Sequence, residues 1–305
     1  MSHPPVQFFA NLVGSTVEPA GWARAREAEG WHGLGVADHI WSGSTTFSHW
    51  AVTLGQIAAL TEHVQLISCF ANNLLRSPVE FAQAALTMQR ASNGRFEAGL
   101  GAGWARDEIE GSGLVFPSAG ERVTRYAEAT EIVRRLLRNG NCSFAGKHYR
   151  IEVPSIGPSV DEPPPIVVAV GGPRSIRELG PVADRIELTF NAAATRGGDL
   201  SRNTLGELGR AHLTELLEQA RSHAPDVPKG IFLTIACGED EAVARMRESG
   251  ALGIPELAGT AQEVSQAVLA LVEDDISRVQ LTPATPTTLE SIAPFLPLTP
   301  RRLAS

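Results

Sequence analysis

Lysine is almost missing from this 305-residue chain: of 26 basic residues only Lys147 and Lys229 are lysines, and the formal net charge is −8. Nucleic acid and anionic membranes are held by a concentrated basic face, so an acidic chain of this kind is not expected to bind either, and any cationic site must be local. Cysteine is scarce too. Cys69, Cys142 and Cys237 lack C-x-x-C spacing, which argues against a zinc site or a disulfide framework and makes a reducing cytoplasm the expected compartment. His32, His49, His63, His148, His212 and His223 show no metal-ligand spacing; they read as surface or structural, and no metal is expected. No window approaches the roughly 20 apolar residues of a membrane span, and the amino terminus lacks a basic region followed by a long apolar run. The motifs G-x-S-x-G, H-E-x-x-H and G-K-[ST] are absent, which leaves hydrolase and nucleoside triphosphatase readings without support.

What is present is ordinary globular composition, 43% hydrophobic and 20% charged, arranged in a repeating strand–helix order. The clearest unit runs from Val64 to Trp104. It comprises a near-continuously apolar strand (VQLISCF), a polar turn (ANNLLRSP), a helix over Val79 to Ser92, the turn Asn93-Gly94-Arg95 and a second apolar strand (FEAGLG). A strand covered on both faces has no reason to alternate, so the unit predicts parallel βαβ structure.

Before it come a strand at Val6 to Ala10, a helix over Ala20 to Glu29 stopped by Gly30, and a strand HGLGVAD ending at Asp38. A Ser/Thr-rich loop over Ser42 to Ser48 and a helix near Trp50 to Leu60 lead into it. After it, Glu121 to Arg138 has the cleanest helical spacing, and residues 139–164 break into short extended pieces and a proline-rich tract. About 25 residues cannot bury a core of their own, so this stretch reads as an insertion.

Strands follow at Ile166 to Val170, Arg185 to Asn191, Gly230 to Cys237 and Arg278 to Thr282, with helices over Ile176 to Val182, Leu205 to Ser222, Asp240 to Glu248 and Leu289 to Leu296. Ser249 to Gly259 reads as a loop. Thr260 and Glu263 have the form of a capping box for a helix reaching Val272. Eight strands, almost all followed by helices, predict one (β/α)8 TIM barrel over residues 1–305, whose ligands belong at the carboxyl ends of the strands.

Three places at those ends could carry chemistry. Asp38-His39 closes the second strand, where imidazole can exchange a proton and a carboxylate can orient it; the alternative is a polar strand end that caps a turn. Gly101-Ala102-Gly103 allows close backbone approach to a flat ligand. Gly171-Gly172-Pro173-Arg174-Ser175 opens a helix with bared amides and a guanidinium, which favours a phosphate, although a tight turn has the same pattern. Cys69-Phe70 reads as core from spacing alone, and the amides of Asn72 and Asn73 follow it.

The segment LISCFANNLLRSPVEFAQAALTMQRASNGRFEAGLGAGWARDE, with Gly-x-x-x-Val-x-Asp-His before it and the glycine turn after P-P-I-V-V-A-V, closely resembles the luciferase-like monooxygenase family, and within it the coenzyme F420-dependent branch. The resemblance covers nearly the whole order and is weakest from Thr195 to Glu256. It implies an oxidoreductase that binds deazaflavin F420, or alternatively FMN, and passes hydride to or from a small organic substrate. It implies proton exchange by His39 and cofactor contacts from Asp38, Asn72, Ala102, Gly103 and Asp107. It also implies a cis peptide at Cys69-Phe70 behind the ring, and the cofactor's phosphate held by Gly171, Gly172, Arg174 and Ser175.

Trp104 stands where sugar-phosphate-oxidising members have a catalytic Glu, which argues against that substrate, and Asp107 replaces a relative's Asn. The resemblance further implies a homodimer and a separate enzyme that reduces the cofactor. From other classes, a sugar-phosphate lyase or isomerase would reuse the phosphate loop, although only Lys229 lies near a strand end for a Schiff base. A protein that sequesters flavin without turnover is a further alternative.

Overall fold

Residues 5–301 are described by a computed structural model, so the two ends of the 1–305 unit lie outside it. The apolar runs become eight parallel strands: β1 (Gln7–Leu12), β2 (Gly33–Val36), β3 (Gln65–Ser68), β4 (Phe96–Gly101), β5 (Ile166–Val170), β6 (Arg185–Thr189), β7 (Lys229–Cys237) and β8 (Ile276–Pro283). Each pairs with the next in sequence, β8 returns to β1 through Phe8 opposite Val279, and β5 pairs with β4 through Val167 opposite Gly99. The ring is closed, and no barrel strand is left with an unpaired edge. Between consecutive strands the helices pack outside, α1 (Pro19–Glu29), α2 (Trp50–Leu60) and α3 (Pro78–Ala91) among them. This is the predicted (β/α)8 barrel.

Local signals set the element ends. Gly30 closes α1 with φ 92°, and the helix Ala261–Leu269 starts with the Thr260–Glu263 capping box. Elsewhere the structure corrects the sequence reading. Residues 42–48 are more than a loop, because Trp41–Ser42 pairs antiparallel with Thr45–Thr46. The loop over 249–259 contains the two-residue strand Ala258–Gly259, which extends the edge of β7. Strand β6 stops at Thr189 and turns into a short 3-10 helix, Phe190–Ala193, so that Asn191 sits in a turn over the barrel mouth. Residues 139–164 do form an insertion, in which Cys142–Ala145 and Arg150–Val153 make a hairpin. Its tip is tied to α5 (Ala119–Asn139) by Glu128, whose carboxylate accepts the N–H groups of Lys147, His148 and Tyr149 at 2.8, 2.9 and 3.1 Å.

Inside the barrel, toward the amino ends of the strands, lies a fully buried ionic layer. Arg278 donates to both carboxylate oxygens of Glu97 at 2.6 Å, reaches Glu187 at 3.2 Å, and lies 3.9 Å over the Phe9 ring. Above this layer Phe9, Ile67, Cys69 and Val167 form an apolar plug, on which Phe70 and Phe232 rest. The cavity at the carboxyl ends thus has a solid floor.

One outer helix is sewn to the strands beneath that cavity. The buried Tyr126 hydroxyl donates to the carbonyl of Leu100 at 2.5 Å and accepts the N–H of Ala169 at 3.1 Å, bridging β4 and β5 from α5. Burial pushes the phenol's pKa up, so it stays a donor throughout the accessible pH range. Tyr126→Phe leaves two backbone groups without this partner and is expected to destabilise the fold by about 1–3 kcal/mol; a urea midpoint equal to that of the parent would contradict the bridge.

Candidate active site

Gly101-Ala102-Gly103, Asp38-His39, Cys69-Phe70, Asn72 and Gly171 to Ser175 come from separate strands, yet all line one cavity of about 500 Å3 at the carboxyl ends. The volume lies in the range of small-molecule sites, about 300–1,000 Å3. Its other walls include Tyr126, Thr189, Asn191, His212 and Phe232.

His39 is the best-defined polar group in it. Its Nδ1 lies 3.0 Å from a carboxylate oxygen of Glu108, which is buried and whose other oxygen accepts the N–H of Ile40. A carboxylate held in this way keeps the Nδ1 proton in place and leaves Nε2 as the atom available for exchange. Phe47 and Trp104 flank the imidazole, with ring centroids 5.3 and 5.7 Å away, and make that corner largely apolar. Glu108 was not singled out in the sequence. Its signal is the spacing of Ala105, Glu108 and Ile109, the buried residues around α4 (Arg106–Gly111), whereas Asp107 and Glu110 are exposed.

Asp38 also stands at the cavity, but its oxygens are engaged by the protein. They accept the N–H of Asn72 at 2.8 Å and the Arg76 guanidinium at 3.2 and 2.8 Å, and the bond to Asp38 raises the pKa of Arg76. Asp38 therefore fixes the turn that carries Asn72. The side-chain oxygen of Asn72 accepts the N–H of Leu74, and Gly103 meets Asn72 so closely that a Cβ there would fall 2.3 Å from that oxygen. The Cys69–Phe70 peptide is cis, as the resemblance implied. The Cys69 thiol donates to Gln280 and burial pushes its pKa well up, so it is no thiolate nucleophile.

The glycine corner is tight on one side and open on the other. A Cβ on Gly171 would fall 2.2 Å from that of Ala192, whereas nothing stands within 4 Å of one on Gly172. Ser175 bonds back to the Gly172 carbonyl, at the start of α6 (Pro173–Leu179).

Two sequence expectations meet a different arrangement. Arg174 reaches the cavity rim, but its guanidinium donates to Glu178, the Gly120 carbonyl and Thr124 at 2.8, 2.7 and 2.8 Å, so its donors clamp α6 to α5 rather than waiting for a phosphate. Asp107 is exposed and lies outside the cavity lining, because the helical turn that buries Glu108 directs its neighbour outward. Conversely His212, read from spacing as surface or structural, lines the cavity beside Phe190. It sits on α7 (Arg202–His223) just beyond Gly209, where the helix is interrupted at φ 60°, a break that periodicity did not reveal. Among the described residues no group of three or more potential ligands could hold a metal, and no helix is long and apolar enough to cross a membrane.

Comparison with known proteins fits this geometry. The chain is 28% identical over 223 residues to an F420-dependent glucose-6-phosphate dehydrogenase of Amycolatopsis mediterranei, a match covering 72% of this chain and 65% of the relative. A dehydrogenase of the same description from Kineococcus radiotolerans is 28% identical over 229 residues, 74% of this chain and again 65% of the relative. The chain thus spans slightly less than two thirds of the length of these relatives. Among solved structures, an F420-dependent secondary alcohol dehydrogenase in complex with an F420-acetone adduct superposes with a TM-score of 0.73 at 19% identity, over 96% of this chain and 99% of that one. A monooxygenase from Streptomyces bottropensis superposes with a TM-score of 0.68 at 20% identity, over 95% and 96%. The sequence model of the family described as luciferase-like monooxygenase matches residues 15–251. With that match over most of its length, the chain belongs to the luciferase-like monooxygenase family.

Proposed function

We propose that this protein is a coenzyme F420-dependent oxidoreductase acting on a small organic substrate. The observation that carries the reading is the convergence of His39–Glu108, the Cys69–Phe70 kink and the Gly171-Gly172 corner on one cavity at the strand ends. The residues present fit a tricyclic ring with a phosphate-bearing tail. Phe70 and Phe232, with ring centroids 5.8 Å apart, offer an apolar floor, and the backbone at Gly172 is unobstructed.

Bound there, a deazaflavin supplies a hydride donor or acceptor for a two-electron step. The chain's own part is positional and acid–base. Cys69–Phe70 and Ala102–Gly103 would hold the ring from the barrel side, and Asp38 acts indirectly, its carboxylate accepting both the N–H of Asn72 and the Arg76 guanidinium. Glu108 holds Nδ1 of His39, and Nε2 delivers or removes the proton that accompanies hydride transfer at a substrate oxygen. Gly172 and Ser175, which line the cavity at the start of α6, would hold the phosphate. Trp104 beside His39 gives that corner an apolar wall, which suits a compact organic substrate better than a sugar phosphate. The family resemblance also supports a homodimer served by a separate cofactor-reducing enzyme, and the scattered cysteines suit a reducing cytoplasm.

The test is anaerobic turnover of reduced F420 with a panel of enones, aldehydes and ketones, followed at the deazaflavin absorbance band. Oxidation of F420 that depends on protein and acceptor supports the reading. Turnover only with reduced FMN and oxygen would instead establish the monooxygenase alternative. Binding without turnover of either would make the protein a flavin carrier.

Glu108→Gln keeps the size of the side chain and removes the charge. We expect it to lower kcat by about 10- to 100-fold, a fraction of what acid–base catalysis supplies, with F420 affinity unchanged; an unaffected kcat would remove Glu108 from the mechanism.

A further inference from the structure

One polar group on the cavity wall across from His39 lacks a partner. His212, on α7, lines the cavity, and its Nε2 is buried with no hydrogen-bond partner among the described residues. Its Nδ1 stands 3.8 Å from a carboxylate oxygen of Glu215, beyond a hydrogen bond but close enough to favour the proton on that nitrogen. Nε2 is then left as an acceptor. A buried acceptor without a donor is costly, and native interiors keep few of them. The imidazole is also held firmly in place. Helix α7 is interrupted at Gly209, whose N–H donates to the Gly253 carbonyl at 3.3 Å. Gly253, at φ 79°, lies so near Phe190 that a Cβ there would fall 2.2 Å from its ring, and Phe190 meets the imidazole edge-on with ring centroids 5.9 Å apart.

Topology says what that acceptor faces. In the closed ring of eight strands, β6, which leads into α7, stands across from β2, which carries His39 at its end. The residues assigned to the cofactor's ring edge and phosphate follow strands β2 to β5, whereas Thr189, Asn191 and His212 come from β6 and the elements after it. That half of the cavity is left to the substrate. We propose that His212 determines substrate specificity: its Nε2 accepts the O–H of a hydroxyl that the substrate carries away from the oxygen served by His39. The favoured substrate is then a small hydroxy-ketone or diol whose two oxygens are separated by an apolar segment. The inference rests on the proposed F420 reading for the reaction at the first oxygen, and on the imidazole alone for the second.

The experiment offers matched acceptors with reduced F420 to the full-length parent, His212→Leu and His212→Gln. The pairs are cyclohexanone against its derivative hydroxylated opposite the carbonyl, and a straight-chain methyl ketone against the same ketone with a terminal hydroxyl. Leucine fills the space without an acceptor, and glutamine returns an amide oxygen near the position of Nε2. A hydrogen bond made in an enclosed site predicts that the parent favours the hydroxylated member of at least one pair by about tenfold or more in kcat/KM. His212→Leu is expected to lose that preference chiefly through KM, His212→Gln to keep part of it, and all three proteins to bind F420 equally. Equal use of hydroxylated and plain acceptors by the parent would overturn the proposal, and so would a preference that survives in His212→Leu. Weaker F420 binding in His212→Leu would overturn it too, by making the imidazole a cofactor ligand. If no acceptor oxidises reduced F420 on the parent, the F420 reading fails, and the same pairs titrated into the unliganded protein by ligand-observed NMR decide the hydroxyl site. Tighter binding of the hydroxylated member, lost in His212→Leu, supports it; equal binding overturns it.

Discussion

Replacing His39 with glutamine is expected to cut kcat by about 10²- to 10⁴-fold, the share that a positioned acid–base group contributes, while F420 binds as before. The expectation follows from geometry. Glu108 holds Nδ1 at 3.0 Å, so the only exchangeable nitrogen on offer to a ligand is Nε2, and a glutamine amide fills similar space without a proton to cycle. Steady-state kinetics read beside a cofactor titration separate the two quantities. A fall in cofactor affinity with kcat preserved would make His39 a binding residue, and the proton would need another carrier. His212, on the same cavity, would then be the next residue to replace.

The largest stability effect is expected at the opposite end of the barrel. Arg278 is fully buried and serves Glu97 and Glu187 together. Arg278→Met fills much of the same volume and strands two carboxylates in the barrel interior, a change that costs about 3–5 kcal/mol when a buried pair is broken. Even with Arg278 present, burial leaves the pKa of Glu187 raised, with the attraction of Arg278 and Arg185 only partly opposing it.

The sign of the pH dependence follows. Without Arg278 the carboxyl of Glu187 titrates still higher in the folded state than in the unfolded chain. The variant's stability is therefore retained below the unfolded carboxylate pKa, about 4.3, and lost as pH rises through the folded value. The deficit relative to the parent should be smaller near pH 5 than near pH 8 in denaturant melts. A deficit that is constant across this range would mean that Arg278 acts by packing over Phe9 and not by charge.

Much of the fold was legible because its evidence is local. An apolar strand buried on both faces, a left-handed glycine such as Gly30 and a Thr260–Glu263 cap each show within a few residues. The site was legible where it sits on strand ends, at Asp38-His39, Cys69-Phe70 and Gly171-Gly172, since the barrel topology fixes which way those ends face. What escaped depends on partners distant in sequence. Glu108 meets His39 across 69 positions and Arg278 meets Glu97 across 181, and neither distance leaves a trace in periodicity. The partners of Arg174 were hidden for a related reason: a helix-start arginine looks the same in sequence whether or not Glu178 and the Gly120 carbonyl accept from its guanidinium. His212 lies in the stretch where the family resemblance is weakest, so only its placement in space marks it.

Fluorescence-quench titration of the purified protein with F420 and FMN side by side bears most directly on the claim that a deazaflavin lies across this barrel's mouth. Saturable quenching by F420 at one equivalent per chain, with FMN at least tenfold weaker, is the predicted result; tighter FMN binding, or saturation by neither, would contradict it.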